Sequence, residues 1–399
     1  MKQSIYNYIN SKNDILRSVG YELWKCPELG LKEKFAHEML TNIFEAEGFQ
    51  VTRNFILETG FKAEYQTSEK PHIVYFCEYD ALPNLGHACG HNLIAEASVG
   101  AAFGLKYAME NFNIKCKLTV LGSPAEENEG GKISMIKEKV LKDVDVAMMV
   151  HPREIDSLHM PHYALKDLLI TFKGRSAHAT ASPWEGKNAL DAGTLAYQGV
   201  AYLRRNMRPN CFVNVSVKMD PDSAIGIIPD KTTMEVDLRA PSIQQLSELD
   251  TRVKQIVKGA ALMADCEVDV FEYDEMYENL VSNKPLLTAF KLNADHFGIH
   301  FQNVTRTGGS TDMGNVSHVI PSIHPVFFIG SSVGPHTEEF VKWTGLEAAH
   351  DLTVVQAKIL AATGVDVTID KVLLEDIQKD FQKTLDNNFS DIDYNDLYN

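Results

Sequence analysis

Residues of the types that bind transition metals occur in short polar segments, each of which directly follows an apolar, strand-like run. They are Cys89, His91, Glu126, Glu127, His151 and His336. Thiolate and imidazole groups suit Zn²⁺, and a carboxylate can either bind the ion or accept a proton. The set therefore contains the parts of a hydrolytic metal site, namely ligands and a base. Each segment alone is more often structural, so the prediction depends on several of them meeting in one place.

The adjacent pair Glu126 and Glu127 indicates how two carboxylates could divide their roles. In an extended or loop segment, neighbouring side chains point in opposite directions. One carboxylate can therefore bind a metal ion while the other faces the water that attacks the substrate. A surface pair of glutamates is the ordinary alternative, and the sequence around the pair favours the site because it ends an apolar strand.

The parts of the sequence that carry these segments alternate between helical and strand-like patterns. Helices are predicted over residues 3–24, 33–47 and 93–109, and strands over 73–77, 117–121 and 144–150. Such alternation is typical of an α/β sheet covered by helices, and in such sheets ligands bind outside the carboxyl ends of the strands. Because the polar segments follow those strand ends, the sheet is expected to bring them together.

The middle of the chain has a different pattern, which predicts an inserted domain. Its strands are predicted at 168–172, 211–219, 232–238 and 267–271, and its helices at 189–205 and 244–263. The order β-α-β-β-α-β is ferredoxin-like. We expect an α/β protein with a lid or dimerisation domain over 165–276, inserted into a discontinuous catalytic domain over 1–164 and 277–399 whose mixed sheet is covered by helices.

Charge and hydropathy exclude some partners. Lys and Arg total 38 against 54 Asp and Glu, a formal net charge of −16 that repels nucleic-acid phosphates. The N-terminal residues form no apolar signal segment, and no 18 apolar residues run together. We therefore expect a cytoplasmic protein without nucleic-acid or membrane partners. Its six cysteines are scattered, and only Cys89 has polar neighbours of the kind that accompany a metal.

Taken together, the motifs resemble those of the aminoacylase/carboxypeptidase metallopeptidases, the family numbered twenty among metallopeptidases, and in particular its amidohydrolase branch. The motifs are EYDALP at 78–83, HACGHN at 87–92, SPAEE at 123–127, a strand followed by His151-Pro152, and GRSAHA at 174–179. The branch includes hippurate hydrolase, N-acyl-amino-acid amidohydrolases and p-aminobenzoyl-glutamate hydrolase. The resemblance covers nearly the whole chain and implies metal-dependent hydrolysis of amide or peptide bonds, with an N-acyl amino acid or a peptide as substrate.

The same resemblance implies roles for individual residues. The implied metal ligands are Cys89, His91, Glu127, His151 and His336. Glu126 resembles the general base, and Asp80 resembles the acidic residue that orients a metal-binding imidazole or tunes the site. Two divalent ions per subunit are implied. Zn²⁺ is the first choice because a thiolate ligand is soft, with Mn²⁺ or Co²⁺ as alternatives.

Residues of the inserted domain and of a glycine-containing segment complete the expected site. By resemblance, His178 crosses a dimer interface and stabilises the oxyanion in the partner's site, so we expect a homodimer or a higher homo-oligomer formed through the lid. Arg239 is a candidate for binding a substrate carboxylate. The segment 308–315 fits a pocket lining, with Ser310, Thr311 and Asp312 as substrate-binding candidates. Gly226 departs from the family pattern, in which an asparagine that touches the substrate precedes Ile-Pro.

Two other functions remain open from the sequence. Cys89 with a nearby histidine and glutamate could form a cysteine-nucleophile hydrolase, which needs a lowered thiol pKa and no metal. That alternative leaves Glu126 and Glu127 unexplained. The chain could also be a catalytically inactive binding protein of the same fold, since a fold does not fix a function.

Overall fold

The computed structural model describes residues 1–219, 224–273, 276–306, 309–389 and 392–398. The chain forms two compact units. Unit 1 comprises Met1–Pro161, Leu280–Thr307 and Thr311–Asn399, and unit 2 comprises His162–Asn279 and Gly308–Ser310. The N-terminal and C-terminal parts of the sequence thus build one unit, and the middle of the sequence builds the other.

Strands and helices alternate along most of the chain. The strands are β1 (Gln50–Arg53), β2 (Phe61–Gln66), β3 (His72–Cys77), β4 (Lys117–Gly122), β5 (Val146–Met148), β6 (His151–Arg153), β7 (Ala164–Lys173), β8 (Phe212–Met219), β9 (Lys231–Ala240), β10 (Glu267–Glu272), β11 (Ser322–Ile323) and β12 (Val326–Phe328). The helices are α1 (Lys2–Ser11), α2 (Asn13–Lys25), α3 (Lys34–Ala46), α4 (His91–Asn111), α5 (Gly131–Lys137), α6 (Ala189–Leu203), α7 (Ile243–Met263), α8 (Lys284–Asp295), α9 (Met313–Ser317), α10 (Glu338–Thr344), α11 (Glu347–Ile369) and α12 (Lys371–Asp386).

Unit 1 contains a mixed six-stranded sheet in the order β1-β2-β4-β3-β5-β11. Strands β3, β4, β5 and β11 pair in parallel, whereas β2 joins β4 and β1 joins β2 in antiparallel fashion. Every residue of β3 is buried, as expected for a strand covered on both faces. The parallel strands end at one edge, so the loops that follow β3, β4 and β5 start close together.

The long helices α4 and α11 pack against each other inside unit 1. Gly104 permits this close approach, because a Cβ at that position would lie 2.8 Å from the Cβ of Ala361. By length and composition α11 is apolar enough to cross a membrane, but most of it is buried within unit 1. Its apolar character is accounted for by its position in the core, where it contacts the sheet, for example through the hydrogen bond from the Tyr75 hydroxyl to the carbonyl of Leu360 at 2.9 Å.

Unit 2 confirms the ferredoxin-like pattern. Its elements occur in the order β7-α6-β8-β9-α7-β10, and its sheet has the order β10-β7-β9-β8 with antiparallel pairing throughout. Helices α6 and α7 pack on each other and on the sheet. The core of the unit lies between sheet and helices and includes Leu168, Ile170, Ala196, Val236 and Val253, all of them buried.

The structure differs from the predicted elements in two places. The helix predicted over 3–24 is two helices, separated at Lys12, although no Gly or Pro marks the break. Both helices bury apolar residues against α4, so the helical periodicity continues through the junction and conceals it. Strands β1 and β2 were not predicted. They form the antiparallel edge of the sheet, and their mixed polar sequence reflects one exposed side.

Candidate metal centre

Four segments of unit 1 carry the predicted metal-binding residues. One is the loop between β3 and α4, one is the loop after β4, one is strand β6, which begins at His151, and one is the loop after β12. The last two are tied to the sheet region by the parallel pairing of β6 with β12. The backbone of His336 also donates a hydrogen bond to the carbonyl of Ala88 at 2.8 Å, which joins the fourth segment to the first.

Gly90 determines how the first loop presents its two donors. It precedes α4 in a left-handed conformation, with φ of +83°, and a Cβ there would lie 2.5 Å from the Pro152 ring. Only glycine adopts this conformation in so tight a space without strain. The chain reverses between Cys89 and His91, and both side chains contribute to one group of donors.

Cys89 belongs to two groups of three donors whose ligand atoms lie within 4.8 Å of one another. The first group adds His91 and His151, and the second adds Glu127 and His336. The Sγ of Cys89 lies 3.3 Å from Nε2 of His151, and Oε1 of Glu127 lies 3.4 Å from Nε2 of His336. The structure therefore brings all five predicted ligands together and makes Cys89 common to both groups.

Asp80 supports two of these donors. Its Oδ1 accepts a hydrogen bond from Nδ1 of His91 at 2.9 Å, and its Oδ2 accepts one from the backbone of Glu127 at 3.0 Å. Burial alone would raise the pKa of Asp80, but the neighbouring His91 holds the pKa below its usual range. Since an ionised carboxylate only accepts, the hydrogen bond keeps the proton of a neutral His91 on Nδ1 and leaves a lone pair on Nε2.

The pKa values of Glu126 and Glu127 are shifted in opposite directions, although both carboxylates lie in one group of donors with His91. Burial, together with the charges of Glu78, Glu127 and Asp312, raises the pKa of Glu126 well above its usual range. Burial would also raise the pKa of Glu127, but the neighbouring imidazoles of His336 and His91 bring it below that range. A carboxyl group with a raised pKa suits proton transfer, and an ionised one suits a ligand.

The backbone before Glu126 is held in an uncommon conformation. Ala125 has a φ of +60°, which is the left-handed region. Its N–H donates to Oε1 of the buried Glu33 at 2.9 Å, and the other Glu33 oxygen accepts from Thr59 at 2.7 Å. Such conformations cost roughly 1–3 kcal/mol and persist where the surroundings enforce them, often at functional sites.

Three buried polar atoms of the centre have no hydrogen-bond partner within the part of the chain that the structure describes. They are Nε2 of His91, Oε1 of Glu127 and Oε2 of Glu78. Leaving such atoms unpaired costs roughly 1–3 kcal/mol each, and more when they are charged. Nε2 of His91 and Oε1 of Glu127 belong to the donor groups described above, and a cation bound there would satisfy both atoms. The residues present thus fit a divalent metal ion.

The thiol of Cys89 does not have the environment of an activated nucleophile. Burial and the nearby charge of Glu127 raise its pKa well above the usual range. A cysteine nucleophile requires the opposite shift. A metal ligand does not, because the bound cation itself displaces the proton.

The sequence prediction did not include Lys132 and Glu78. Lys132 is the second residue of α5 and is completely buried. Its ammonium group donates to Oε1 of Glu78 and to Oδ1 of Asp312, the latter at 2.7 Å, and its backbone N–H donates to Oδ2 of Asp312 at 2.9 Å. Glu78 and Asp312 are also fully buried. Together with Glu126 they form another group of possible metal donors, in which all three donors are carboxylates.

The predicted substrate-binding residues lie in both units. In unit 1, Thr311 is buried and its hydroxyl accepts from the backbone of Met313, and Asp312 has Lys132 as its partner. In unit 2, Ser310 is half-buried, and Arg239 pairs with Asp237 two residues earlier on β9, with a shortest distance of 2.9 Å. Gly308, the first residue of the predicted pocket lining, lies outside the described residues.

His178 lies in unit 2, in the loop after β7. The loop is exposed at this position and pairs with Ile227. Nδ1 of His178 accepts hydrogen bonds from the backbone N–H groups of Thr180 and Ala181, both at 3.2 Å. Acceptance at Nδ1 places the proton of the neutral ring on Nε2. His178 therefore presents an N–H donor, the group that an oxyanion requires.

Comparison with known sequences assigns a family to these features. The family model described as Peptidase family M20/M25/M40 matches residues 77–361. The chain is similar to the Xaa-Arg dipeptidase of Mus musculus, with 38% identity over 96% of this chain and 92% of the relative. It is also similar to one of the subunits of p-aminobenzoyl-glutamate hydrolase from Escherichia coli strain K12, with 27% identity and 96% coverage of both chains.

Comparison with solved structures agrees on the fold. A dinuclear metal-binding peptidase of the M20 family from Bacillus subtilis superposes with a TM-score of 0.72 at 18% identity, covering 90% of this chain and 99% of the other. The aminobenzoyl-glutamate utilization protein of Klebsiella pneumoniae superposes with a TM-score of 0.70 at 16% identity, covering 91% and 98%. At these low sequence identities, the structural similarity establishes the fold of the chain.

Proposed function

This chain belongs to peptidase family M20/M25/M40 and hydrolyses amide or peptide bonds, and we propose that it does so at two divalent metal ions that share Cys89 as a ligand. The observation that carries this proposal is the presence of Cys89 in both donor groups, Cys89-His91-His151 and Cys89-Glu127-His336. The unpaired lone pairs of His91 and Glu127 support it. The family resemblance seen in the sequence leads to the same five residues.

When bound, such a pair of ions polarises the scissile carbonyl and lowers the pKa of the attacking water to near neutrality. The chain supplies the proton transfers. Glu126 accepts the proton of the attacking water and then gives it to the leaving nitrogen, so no covalent intermediate with the protein is needed. Its raised pKa favours this role, and its carboxylate lies in a donor group with His91 and Glu127, next to the proposed ions. Asp80 holds the ring of His91 and the backbone of Glu127 in place during these steps.

We propose Zn²⁺ as the ion at both sites, because a buried thiolate and three imidazoles are soft to intermediate donors. Mn²⁺ and Co²⁺ are the alternatives, since metal supply in the cell competes with affinity. A cytoplasmic location is part of the proposal, because a reducing compartment keeps Cys89 from oxidation.

As substrate we propose a dipeptide or an N-acyl amino acid. The relative with 38% identity is named a dipeptidase for Xaa-Arg, and the relative with 27% identity is named a hydrolase of p-aminobenzoyl-glutamate. Both names describe a single amide bond next to an amino acid with a free carboxylate. We propose dipeptides with a basic C-terminal residue as the first class, because the more similar relative covers nearly the whole chain.

We also propose that the active form is a homodimer in which His178 donates from Nε2 to the oxyanion in the partner's site. The hydrogen bonds that Nδ1 of His178 accepts support a ring with its proton on Nε2. Strand β8 supports pairing through unit 2, since it lies at one edge of the sheet and a twofold axis can join identical edges.

The proposal is tested by measuring metal content and hydrolysis on the same preparation. Purified protein should contain two transition-metal ions per chain by mass spectrometry. Dialysis against a strong chelator should abolish hydrolysis of a panel of Xaa-Arg and Xaa-Lys dipeptides, N-acetyl amino acids and p-aminobenzoyl-glutamate, and added Zn²⁺, Mn²⁺ or Co²⁺ should restore it. Full activity in metal-free protein would rule out the metal mechanism, and absence of activity on the whole panel would rule out the substrate class.

A further inference from the structure

We propose that Glu78 is a further donor to the metal ion at His91 and that Lys132 and Asp312 hold it in position, an inference that rests on the proposed metal site. Glu78 follows β3 directly and is completely buried. Its two carboxylate oxygens have different surroundings. Oε1 accepts from the ammonium group of Lys132, whereas Oε2 has no hydrogen-bond partner among the residues that the structure describes.

The unpaired oxygen of Glu78 faces an unpaired nitrogen. Oε2 lies 3.5 Å from Nε2 of His91, which is also buried and without a hydrogen bond in the described part of the chain. Because Asp80 keeps the proton of a neutral His91 on Nδ1, both facing atoms carry lone pairs. A metal ion between these two atoms would satisfy both of them at once.

The separation also suits a shared ion. Two oxygen or nitrogen donors that are each about 2.1 Å from one tetrahedral Zn²⁺ lie about 3.4 Å apart. The pair His91 and Glu78, at 3.5 Å, matches this separation, as does the pair Glu127 and His336, at 3.4 Å. By contrast, the carboxylates of Glu126 and Glu127 lie 3.9 and 3.8 Å from Nε2 of His91. Glu78 is therefore the nearest of these three carboxylates to that nitrogen.

The charges of Lys132, Glu78 and Asp312 give a second, independent reason to expect a cation beside Glu78. Lys132 supplies one positive charge, and Glu78 and Asp312 supply two negative charges, in a region where all three side chains are fully buried. Buried charges are paired or bind metals, because an uncompensated one is costly. Asp312 takes both the ammonium and the backbone N–H of Lys132, so Lys132 already has a counter-ion. The second oxygen of Glu78 has no hydrogen-bond donor among the residues that the structure describes.

Lys132 and Asp312 are accordingly positioning residues. The two hydrogen bonds from Lys132 to Asp312 fix the start of α5 against the residue before α9. The ammonium group is thereby held where it binds one Glu78 oxygen and directs the other towards His91. A donor fixed in this way is preorganised for the ion, which raises affinity without a change in the ligand itself.

The experiment measures metal affinity and not turnover. Three variants of the full-length chain are compared with wild type: Glu78→Gln, the double variant Glu78→Gln/Lys132→Met, and Glu96→Gln. The last is a matched control, because Glu96 is a buried carboxylate of α4 that pairs with His350 and is in none of the donor groups. Circular dichroism verifies folding. Titration with a competing chelator gives the affinity of each site for Zn²⁺, and the visible absorption of Co²⁺-loaded protein reports the ligands.

We expect Glu78→Gln to weaken one of the two sites by at least about tenfold, to change the Co²⁺ spectrum and to leave the other site unchanged. The double variant distinguishes a donor from a counter-ion. If Glu78 served only to neutralise Lys132, removing both charges would restore wild-type affinity, and that result would overturn the inference. Persistent weakening in the double variant, with wild-type behaviour in Glu96→Gln, supports it. Unchanged affinity and spectrum in Glu78→Gln would also overturn it. If wild type itself binds no metal, the proposed function fails and not this step alone.

Discussion

Asp80 accepts a hydrogen bond from His91 at 2.9 Å while its other oxygen accepts one from the backbone of Glu127 at 3.0 Å. One buried carboxylate thus orients a donor from each of the two groups that share Cys89. We expect Asp80→Asn to lower metal affinity by roughly 10–100-fold, because partners that orient metal ligands have effects of this size. Titration with a competing chelator measures this change in metal affinity. An unchanged affinity would show that the ligands are held by other contacts.

The shared position of Cys89 predicts an unequal loss of metal among ligand variants. Cys89→Ala should lose both ions, whereas His151→Ala and His336→Ala should each lose one, because each of these histidines belongs to a single group. Metal content after gel filtration is the measurement. Equal stoichiometry in all three variants contradicts a shared ligand. A Cys89→Ala protein that keeps both ions and loses activity would instead favour a cysteine nucleophile.

Glu126 is expected to move protons and not to hold metal. Glu126→Gln should lower turnover by on the order of 10²–10⁴-fold, the usual range for general acid–base catalysis, with metal content near wild type. Glu127→Gln is the matched control on the neighbouring residue, and it should lose metal because Glu127 is in the group with Cys89 and His336. If Glu126→Gln instead loses metal and Glu127→Gln keeps it, Glu127 is the base and Glu126 is the ligand.

Mixing two inactive variants tests the proposed contribution of His178 across a dimer. His178→Ala should lower kcat by roughly 10²–10³-fold, comparable with the loss of one oxyanion donor. In a mixed dimer of His178→Ala and Glu126→Gln, one site carries both defects and the other carries neither. With random exchange of subunits, about a quarter of wild-type activity should return. If mixed dimers form and activity stays at the level of the separate variants, His178 does not act in the partner's site.

Protonation of the buried imidazole of His72 should destabilise the protein at mildly acidic pH. Burial, with the nearby charge of Lys117, lowers the pKa of His72 from 6.5 to about 4, and its ring contacts the hydroxyl of Thr119 at 2.8 Å. The unfolded chain therefore binds this proton at a higher pH than the folded chain. The stabilisation is present above about pH 6.5 and is lost as the pH falls towards 4.

Urea unfolding of wild type and His72→Gln at pH 7.5 and pH 5 measures this effect, since other titrating groups are common to both proteins. The difference in free energy of unfolding between wild type and variant should fall by about 2 kcal/mol over this range. A difference that does not change with pH would mean that the pKa of His72 is the same in the folded and the unfolded chain.

The sequence predicted that the donor residues would lie close together because their positions depend on a general property of α/β sheets. Cys89, Glu127 and His151 follow strands that end at the same edge, so their meeting requires little more than the order of the strands. Asp80 could be assigned its orienting role from the motif, and the structure gives it the imidazole of His91 as a partner. The alternation of side chains did not predict the direction of the two carboxylates of the Glu126-Glu127 pair, because both lie within 4.8 Å of the same His91 nitrogen.

Lys132 could not have been found in the same way. A lysine near the start of a short helix is ordinarily exposed, and its burial follows from two carboxylates that come from residues 54 and 180 positions away in the sequence. Asp312 was expected to face the substrate, and the reason it instead meets Lys132 is a contact between α5 and α9 that no local pattern encodes. Long-range ion pairs in a core depend on packing, which the periodicity of a single segment does not specify.

The discontinuity of unit 1 has a consequence for synthesis of the protein on the ribosome. Unit 2 is almost continuous in sequence, whereas unit 1 requires residues from both ends of the chain, including helix α11, which packs along α4. Translation of residues 280–399 takes on the order of ten seconds at about 5–20 residues per second, and during that time α4 lacks its partner. Cys89, His91 and His151 are all translated before this interval, whereas His336 is translated within it. The donors of the group Cys89-His91-His151 are therefore present in the nascent chain before His336, but the strands β11 and β12 that pair with β5 and β6 follow later.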